Sequence, residues 1–216
     1  MDAVFPGSLR GRDANETGAK GCELVTVEAG RIDAEFVALD VVRWNQVSLS
    51  LTGVDQLVAL SGVFRNTMEP LLIGTTDRLH AVRVTLMGST ALHRIEATQP
   101  GTLAAALHAA AQDVSEAEIW IEQVRLELST PLDRAQAALR QDAVGELVRL
   151  VDSIAADPAE LMRRAQADLG DPLGAMPPEV ATDDVPKLDN VEELKRLLTD
   201  AEATVLARLA ASGEGA

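Results

Sequence analysis

Aromatic side chains are scarce in this chain, which has three Phe, two Trp and no Tyr among its 216 residues. The core must therefore be built from aliphatic side chains. No apolar run approaches the roughly 20 residues that a membrane-spanning helix needs. The N-terminus also lacks the basic start and apolar block of a signal peptide. These absences predict a protein without membrane association.

Cysteine is almost missing, since Cys22 is the only one. A single cysteine permits no internal disulfide and suits a reducing compartment, so we predict a cytoplasmic location. Cys22 follows Gly21 at the start of a predicted strand. We interpret it as a small packed residue rather than a nucleophile.

Positive charge is also limited, because the formal net charge is −15 and only two lysines follow Lys20. A surface that binds duplex DNA normally needs clustered Lys and Arg to displace counterions from phosphates. No such cluster occurs, and the largest share of the negative charge lies in residues 131–216. We expect weak intrinsic DNA affinity, and an acidic region that binds a protein partner or favours solubility.

No catalytic constellation is recognisable in the sequence. The three histidines, His80, His93 and His108, are each preceded by Leu and are not paired at metal-ligand spacing. Nucleophile-elbow, Walker A and dinucleotide-binding glycine motifs are absent. We predict structural histidines, no catalytic residue and no metal site in this chain.

The predicted fold class is α+β, in three segments. Residues 1–44 are predicted to form strands at Glu23–Glu28 and Arg31–Leu39 around an Ala29–Gly30 turn, with Leu39–Trp44 closing that sheet. Residues 45–130 have a β-α-β-α-β pattern, which is typical of a small sheet covered by two helices. Its strands are predicted at 46–51, 80–87 and 118–128. Its first helix is predicted from an Asp55 cap to about Met68, and its second from Thr102 to Ala111.

Alternating residues of the middle segment predict its core. The set comprises Val47, Leu49, Val82, Val84, Leu86, Ile119, Ile121 and Leu126. On the first helix the predicted apolar face is Leu57, Val58, Leu60, Val63 and Phe64.

Residues 131–216 are predicted to be helical, at 142–155, 158–169 and 190–211. Residues 170–188 are rich in Pro, Gly and Asp and are interpreted as a flexible linker. The last helix carries an apolar stripe that includes Leu194, Leu197, Leu198, Val205 and Leu209. Two interpretations stay open: the helix captures a partner groove on a tether, or it packs on its own chain.

A glycine-rich run opens the chain, from Val4 through Gly7, Gly11 and Gly18 to Cys22, and the segment LDVVRW follows at 39–44. Both resemble the end of the catalytic domain in SbcD/YhaO-type DNA repair exonucleases, which are calcineurin-like metallophosphoesterases. Asp13 stands where members of that family usually carry His. The resemblance implies remnant strands of a metallophosphoesterase sandwich at 1–44, a capping domain at 45–130 and a helical partner-docking region at 131–216.

The same resemblance implies a function. The family acts as Mn²⁺-dependent DNA exonucleases and phosphodiesterases that work with an SMC-like ATPase. By resemblance, Arg10, Arg12 and Lys20 are candidate contacts for phosphate or DNA. The five stripe residues named above are candidate contacts for the ATPase. The Mn²⁺ pair would belong to a catalytic domain that this chain lacks, so we expect the chain alone to be inactive, and to meet DNA only within an intact complex.

Three interpretations remain open from sequence. The leading one is the capping and ATPase-docking part of a DNA double-strand break repair exonuclease subunit, as a truncated product, a mis-started frame or an excised segment. The second is a stand-alone, non-enzymatic adaptor that binds an SMC-like ATPase. The third is an enzyme with an unrecognised site. Homodimer formation is also possible.

Overall fold

The computed structural model describes residues 7–114, 117–177 and 185–213. The strands are β1 (Gly21–Glu28), β2 (Arg31–Ala38), β3 (Val42–Ser50), β4 (Leu79–Ser89) and β5 (Glu118–Ser129). The helices are α1 (Leu57–Leu72), α2 (Leu92–Thr98), α3 (Thr102–Gln112), α4 (Arg134–Ala138), α5 (Ala143–Ala155), α6 (Pro158–Gly174) and α7 (Val191–Gly213). The α+β class is confirmed.

The chain divides into two compact units. The sheet unit comprises residues 1–88 and 100–127, and the helical unit comprises residues 89–99 and 128–216. The predicted segment boundaries at 44 and 130 stay predictions. Residues 4–6 of the glycine-rich run lie outside the described residues. No helix in the described ranges is long and apolar enough to span a membrane.

The first two strands of the sheet unit form an antiparallel hairpin, with Val25 opposite Ala34 and Val27 opposite Ile32. The turn between them has positive φ at both Ala29 (48°) and Gly30 (82°). This pair of left-handed residues matches the right-handed twist of the flanking strands, and it confirms the predicted turn. Cys22 is exposed on β1, so the expectation that it is packed is wrong. A two-stranded ribbon has no second layer to cover it.

A three-stranded sheet in the order β3-β4-β5 forms the core of the sheet unit. β3 and β4 are parallel, with Val47 opposite Val84 and Leu49 opposite Leu86. Their connection runs through α1, which packs on α3. Arg43 and Trp44 were expected to end the hairpin sheet, but they lie in β3, where Arg43 is opposite His80. β3 begins this early because the sheet continues to pair with β4 from Val42 onwards.

Most of the predicted core is confirmed, since Val47, Leu49, Val82, Val84, Leu86 and Ile121 are all buried. Leu126 is 43% exposed, however, and Ile119 is only half-buried. Near the end of β5 it is Leu128 that is buried. Alternation along β5 is therefore not enough to place Leu126, because burial of a strand residue depends on what covers its face.

Helix α1 differs from its prediction at both ends. Its N-cap is the extended Gln56, which makes no side-chain cap, so the capping role expected of Asp55 is wrong. The helix continues through Pro70 to Leu72. Leu60, Phe64, Met68 and Leu72 are buried at four-residue spacing, whereas Val58 is exposed on the opposite side.

The helical unit contains the three long helices that were predicted, together with α2 and α4, which were not. Carboxylates cap several of the helices: Asp142 accepts from Gly145 N, and Asp157 accepts from Ala159 N and Glu160 N. α6 extends to Gly174, so residues 170–174 of the predicted linker are helical. The hydrogen bond from Ala175 N to Asp171 O continues the helical ladder past Pro172. Residues 178–184 of that linker lie outside the described part of the chain.

Helix α7 packs on its own chain. Leu194 belongs to a buried cluster with Ile154 and Leu161. Just over three turns later, Leu206 belongs to a second cluster with Val148 and Ala137. Of the two interpretations of the last helix, the structure shows the one in which the helix packs on its own chain.

Candidate functional site

The glycine-rich loop places two of its three candidate cations together. Arg10 and Arg12 line a cavity of about 620 Å³ with Leu9, Leu39 and Val41 among its walls. Glu16 accepts a hydrogen bond from the backbone N of Arg12 at 3.2 Å and one from its guanidinium at 3.4 Å. The Arg12 side chain is nonetheless mostly exposed, so it can reach an anion at the cavity mouth.

Lys20 lies apart from that cavity lining and is placed by its backbone. Its N–H donates to Asp40 Oδ1 at 3.4 Å, and its carbonyl accepts from the backbone N–H groups of Leu39 and Asp40. The structure therefore brings Arg10 and Arg12 to one cavity and gives Lys20 a position at the base of the hairpin. Contact of any of the three with phosphate stays a prediction.

Asp40 is the charged centre of the sheet unit, and sequence reasoning missed it. Its buried carboxylate accepts from Arg43 Nε at 2.7 Å, Arg43 Nη2 at 2.9 Å and Arg78 Nη1 at 3.0 Å. Burial alone would raise the pKa of Asp40, but the hydrogen bonds and charge of Arg43 and the backbone N–H of Lys20 outweigh it and hold that pKa below its ordinary value. In the sequence, the Asp-x-x-Arg spacing at 40–43 indicates the contact of Asp40 with Arg43. No sequence pattern indicates its contact with Arg78.

A second group of polar contacts in the sheet unit involves a buried histidine, His80. His80 Nδ1 lies 3.2 Å from Asn45 Nδ2, and His80 Nε2 lies 3.0 Å from the Thr75 carbonyl oxygen. Because the amide nitrogen can only donate and the carbonyl can only accept, we assign the proton to Nε2. These contacts agree with a structural role for His80, which stays a prediction.

The other two histidines differ in their burial. His93 is buried and its Nδ1 lies 3.1 Å from Thr130 Oγ1, while His108 is exposed on α3. Burial lowers the pKa of His93, although Asp200 and Glu96 act in the opposite direction. Within 7–114, 117–177 and 185–213, no group of three or more His, Cys, Asp or Glu residues could hold a metal ion. The described residues therefore do not fit the Mn²⁺ pair that the resemblance implies.

The five candidate docking residues of α7 do not share one surface. Leu194 is buried and Leu198 and Leu209 are half-buried, whereas Leu197 and Val205 are exposed. The role of the set in partner binding stays a prediction, and the structure leaves Leu197 and Val205 as the members that a partner could reach. Sequence reasoning did not include Leu206, which is buried.

An ion pair fixes α7 to the start of the helical unit. Arg134 donates to Glu202 Oε2 at 2.6 Å and to Asp152 Oδ1 at 2.7 Å. The hydrogen bonds to Glu202 and Asp152 raise the pKa of Arg134. Glu202 Oε1 is buried and has no hydrogen-bond partner among the described residues.

Comparison with known proteins gives two matches. Residues 44–129 match the family model described as the middle domain of metallophosphoesterase YhaO. The chain is also 30% identical over 127 residues to a Bacillus subtilis (strain 168) protein described as uncharacterized metallophosphoesterase YhaO. That alignment covers 59% of this chain and 30% of the relative, so the chain spans under a third of the relative's length by this match.

No solved structure matches the chain significantly. The matched segment begins at the third residue of β3 and ends with β5, so it covers the three-stranded sheet with its helices. The comparisons support the metallophosphoesterase part of the predicted resemblance. Through its three-stranded sheet and flanking helices, the chain is similar to the middle domain of the YhaO metallophosphoesterases.

Proposed function

We propose that this chain is the capping and partner-docking part of a DNA-processing metallophosphoesterase that works with an SMC-like ATPase. The match of residues 44–129 to a metallophosphoesterase middle domain is the observation that carries the proposal. In this proposal the sheet unit guides DNA towards a metal-bearing phosphoesterase layer. The helical unit holds the ATPase.

The hairpin supports the phosphoesterase half of the proposal. Val25, Val27, Ile32 and Phe36 lie on one face of the ribbon, because Val25 is opposite Ala34, Val27 is opposite Ile32 and Phe36 is opposite Glu23. All four are about half exposed or more. An apolar face of this kind marks an interaction surface, and a two-stranded ribbon is marginal without a further layer. The metal-bearing layer is the occupant that we propose for it.

Charge supports an indirect route to DNA. The chain carries a net charge of −15, which repels phosphate. Arg10 and Arg12 place two cations at one cavity of the sheet unit. A guanidinium can hold a phosphate through two parallel hydrogen bonds. In the proposal these two residues steer a strand that the complete assembly has already bound.

Helix α7 supports the ATPase half. Leu197, Ala201 and Val205 recur every four residues and all are exposed, so they form one outward apolar face of the helix. Leu194 and Leu206 meanwhile fix the same helix within the helical unit. A rigid helix that presents an apolar face is a suitable surface for the groove of a coiled coil.

The direct test is binding of the purified full chain to the purified SMC-like ATPase of the same genome. We expect Leu197→Glu with Val205→Glu to weaken the complex at least tenfold, because two charges would enter an apolar contact. Leu139→Glu is the matched control, since Leu139 is also exposed in the helical unit but lies outside α7. Wild-type binding by the double variant would show that the ATPase docks elsewhere.

A second measurement separates the proposal from a stand-alone adaptor. The genomic frame just upstream of the Met1 codon is sequenced, and Mn²⁺-dependent degradation of linear duplex is assayed for the chain and for the assembly isolated from its source. The proposal expects metal-binding histidine loops in that frame and nuclease activity in the assembly only. ATPase binding without either result would favour the adaptor.

A further inference from the structure

A cleft of about 410 Å³ opens in the sheet unit beside the edge strand β3. Its lining consists of Asn15, Thr17, Asn45, Gln46 and Leu71. Four of these side chains are polar and none is charged. In a chain with a quarter of its residues charged, such a lining favours a neutral ligand over an ion.

Two hydrogen bonds hold the loop side of the cleft against β3. Gln46 Nε2 donates to the Ala14 carbonyl oxygen at 2.7 Å, and Gly18 N donates to the Trp44 carbonyl oxygen at 3.1 Å. Ala14 is itself buried. Asn15 and Thr17 lie between these two attachment points, so their positions relative to β3 are set before any ligand arrives.

The same contacts orient the two carboxamides of β3. Asn45 Nδ2 donates to the Arg43 carbonyl oxygen at 3.1 Å and lies 3.2 Å from His80 Nδ1. A carbonyl oxygen can only accept, so the nitrogen of Asn45 must face Arg43, and by the same argument the nitrogen of Gln46 must face Ala14. The remaining polar atoms are Asn45 Oδ1 and Gln46 Oε1. Neither accepts a hydrogen bond from any residue in the described ranges.

These two oxygens are free to accept hydrogen bonds from a ligand that displaces water from the cleft. Asn45 is only 9% exposed, yet its Oδ1 is accessible to solvent, because the residue lines the cleft. Successive side chains of a strand point to opposite sides, so the acceptors of Asn45 and Gln46 approach from two directions. The Asn15 amide and the Thr17 hydroxyl can each donate or accept, and Leu71 adds an apolar contact.

We propose that this cleft binds the sugar ring of a neutral ligand, either a free sugar or the sugar of a nucleoside. A sugar ring carries hydroxyl donors around its edge, which suits acceptors from two directions, and its C–H face can pack on Leu71. A nucleoside or a monosaccharide is also small enough for a cleft of this volume. The proposal stands independently of the function proposed above.

The test titrates the isotope-labelled full chain with glucose, adenosine and adenine separately, and follows the side-chain amide signals of Asn15, Asn45 and Gln46 by NMR. Saturable shifts of these signals with glucose identify a free sugar as a ligand. Shifts with adenosine but not adenine identify the sugar of a nucleoside. Equal binding of adenine and adenosine would overturn the proposal, because recognition would then lie in the base, and no saturable shift with any of the three would also overturn it.

Two exposed positions supply the variants, so that the core of the sheet unit is not disturbed. Gln46→Leu removes the acceptor, together with the hydrogen bond to Ala14, at similar volume, whereas Thr17→Val removes only the hydroxyl at similar shape. Each is expected to lower the affinity for the binding probe by about tenfold, which corresponds to the loss of one good hydrogen bond. Asn66→Ala is the matched control, since Asn66 is an exposed amide on α1 outside the cleft. Undiminished binding by both cleft variants would place the ligand elsewhere and overturn the proposal.

Discussion

Arg78 and Asp40 are joined by a hydrogen bond of 3.0 Å across 38 residues of sequence, and Asp40 receives Arg43 on its other side. The carboxylate thus ties the base of the hairpin to the first residues of β3 and to the segment just before β4. Three charged groups are removed from most of their water for this contact, so its loss leaves Arg43 without its anion and leaves Arg78 with Asp77 alone.

We expect Asp40→Asn to destabilise the sheet unit by about 3 kcal/mol, because it leaves the largely buried Arg43 unpaired and removes one of the two anions of Arg78. The measurement is urea unfolding followed by the fluorescence of Trp44 and Trp120, which both lie in that unit. Asp55→Asn is the control, since Asp55 is exposed. An effect of Asp40→Asn no larger than that of the control would contradict the role given to this carboxylate.

The same carboxylate predicts a pH dependence. The folded pKa of Asp40 lies below its ordinary value of 3.8, so its stabilisation is complete above that value and is lost as pH falls through the lowered folded pKa. We therefore expect the difference in unfolding free energy between wild type and Asp40→Asn to be constant near neutral pH and to shrink below about pH 4. A difference that stays unchanged down to the acid limit of folding would refute this assignment.

Val84→Asp and Leu126→Asp form a pair that tests the core. Val84 is fully buried on the central strand, so an unpaired charge there should prevent the sheet unit from folding. Leu126 is 43% exposed, so the same substitution should change stability by no more than about 1 kcal/mol. Soluble yield and thermal melting measure both effects. A folded Val84→Asp variant, or an unfolded Leu126→Asp variant, would show that the two residues have been assigned to the wrong environments.

Arg134→Gln is expected to destabilise the helical unit by about 1–2 kcal/mol. The substitution removes the only described hydrogen bond of the Glu202 carboxylate, which is 6% exposed. Thermal unfolding followed by circular dichroism at 222 nm measures the loss. Arg163→Gln is the control: it also removes a carboxylate pair, with Glu160, but this pair is exposed and little change is expected. Equal losses of stability from the two substitutions would mean that the buried Glu202 contact stabilises the fold no more than an exposed ion pair does.

The apolar hairpin face predicts self-association of the isolated chain. Ile32→Lys should reduce binding of an apolar dye and shift sedimentation towards the monomer, because it interrupts the face formed with Val27 and Phe36. Folding should be preserved, since Ile32 is exposed. Val58→Lys, at an isolated exposed valine of α1, should change neither measurement. If both variants behave as wild type does, the hairpin face is not what drives association.

Local pattern was sufficient for the strands and long helices. Period-two alternation placed β4 and β5 to within a residue or two, and the Ala29–Gly30 turn followed from Gly30, which accepts positive φ without a steric penalty. Short elements were beyond this approach, because α2 and α4 have seven and five residues and contain too few turns to show a period. Arg78 and Asp40 are 38 residues apart and meet only in the folded chain, so no local sequence pattern could predict their contact.

The apolar stripe of α7 shows a different limit. A single stripe was expected to form a single face, but the buried side of the helix changes along its length. Near its start Leu194 packs on Ile154 and Leu161, and later Leu206 packs on Val148 and Ala137. Since the helix meets different neighbours at successive turns, hydrophobicity alone could not say which of its leucines face inward.

This change of buried face along α7 has a consequence for genetics. Under the proposed function, loss of ATPase binding arises at Leu194 through a weakened fold and at Val205 through a damaged surface, although both residues belong to the same apolar pattern. Screening for lost partner binding would recover both classes without distinguishing them. Measuring the abundance of each variant beside its binding separates the two, because only the inward class lowers the amount of folded protein in the cell.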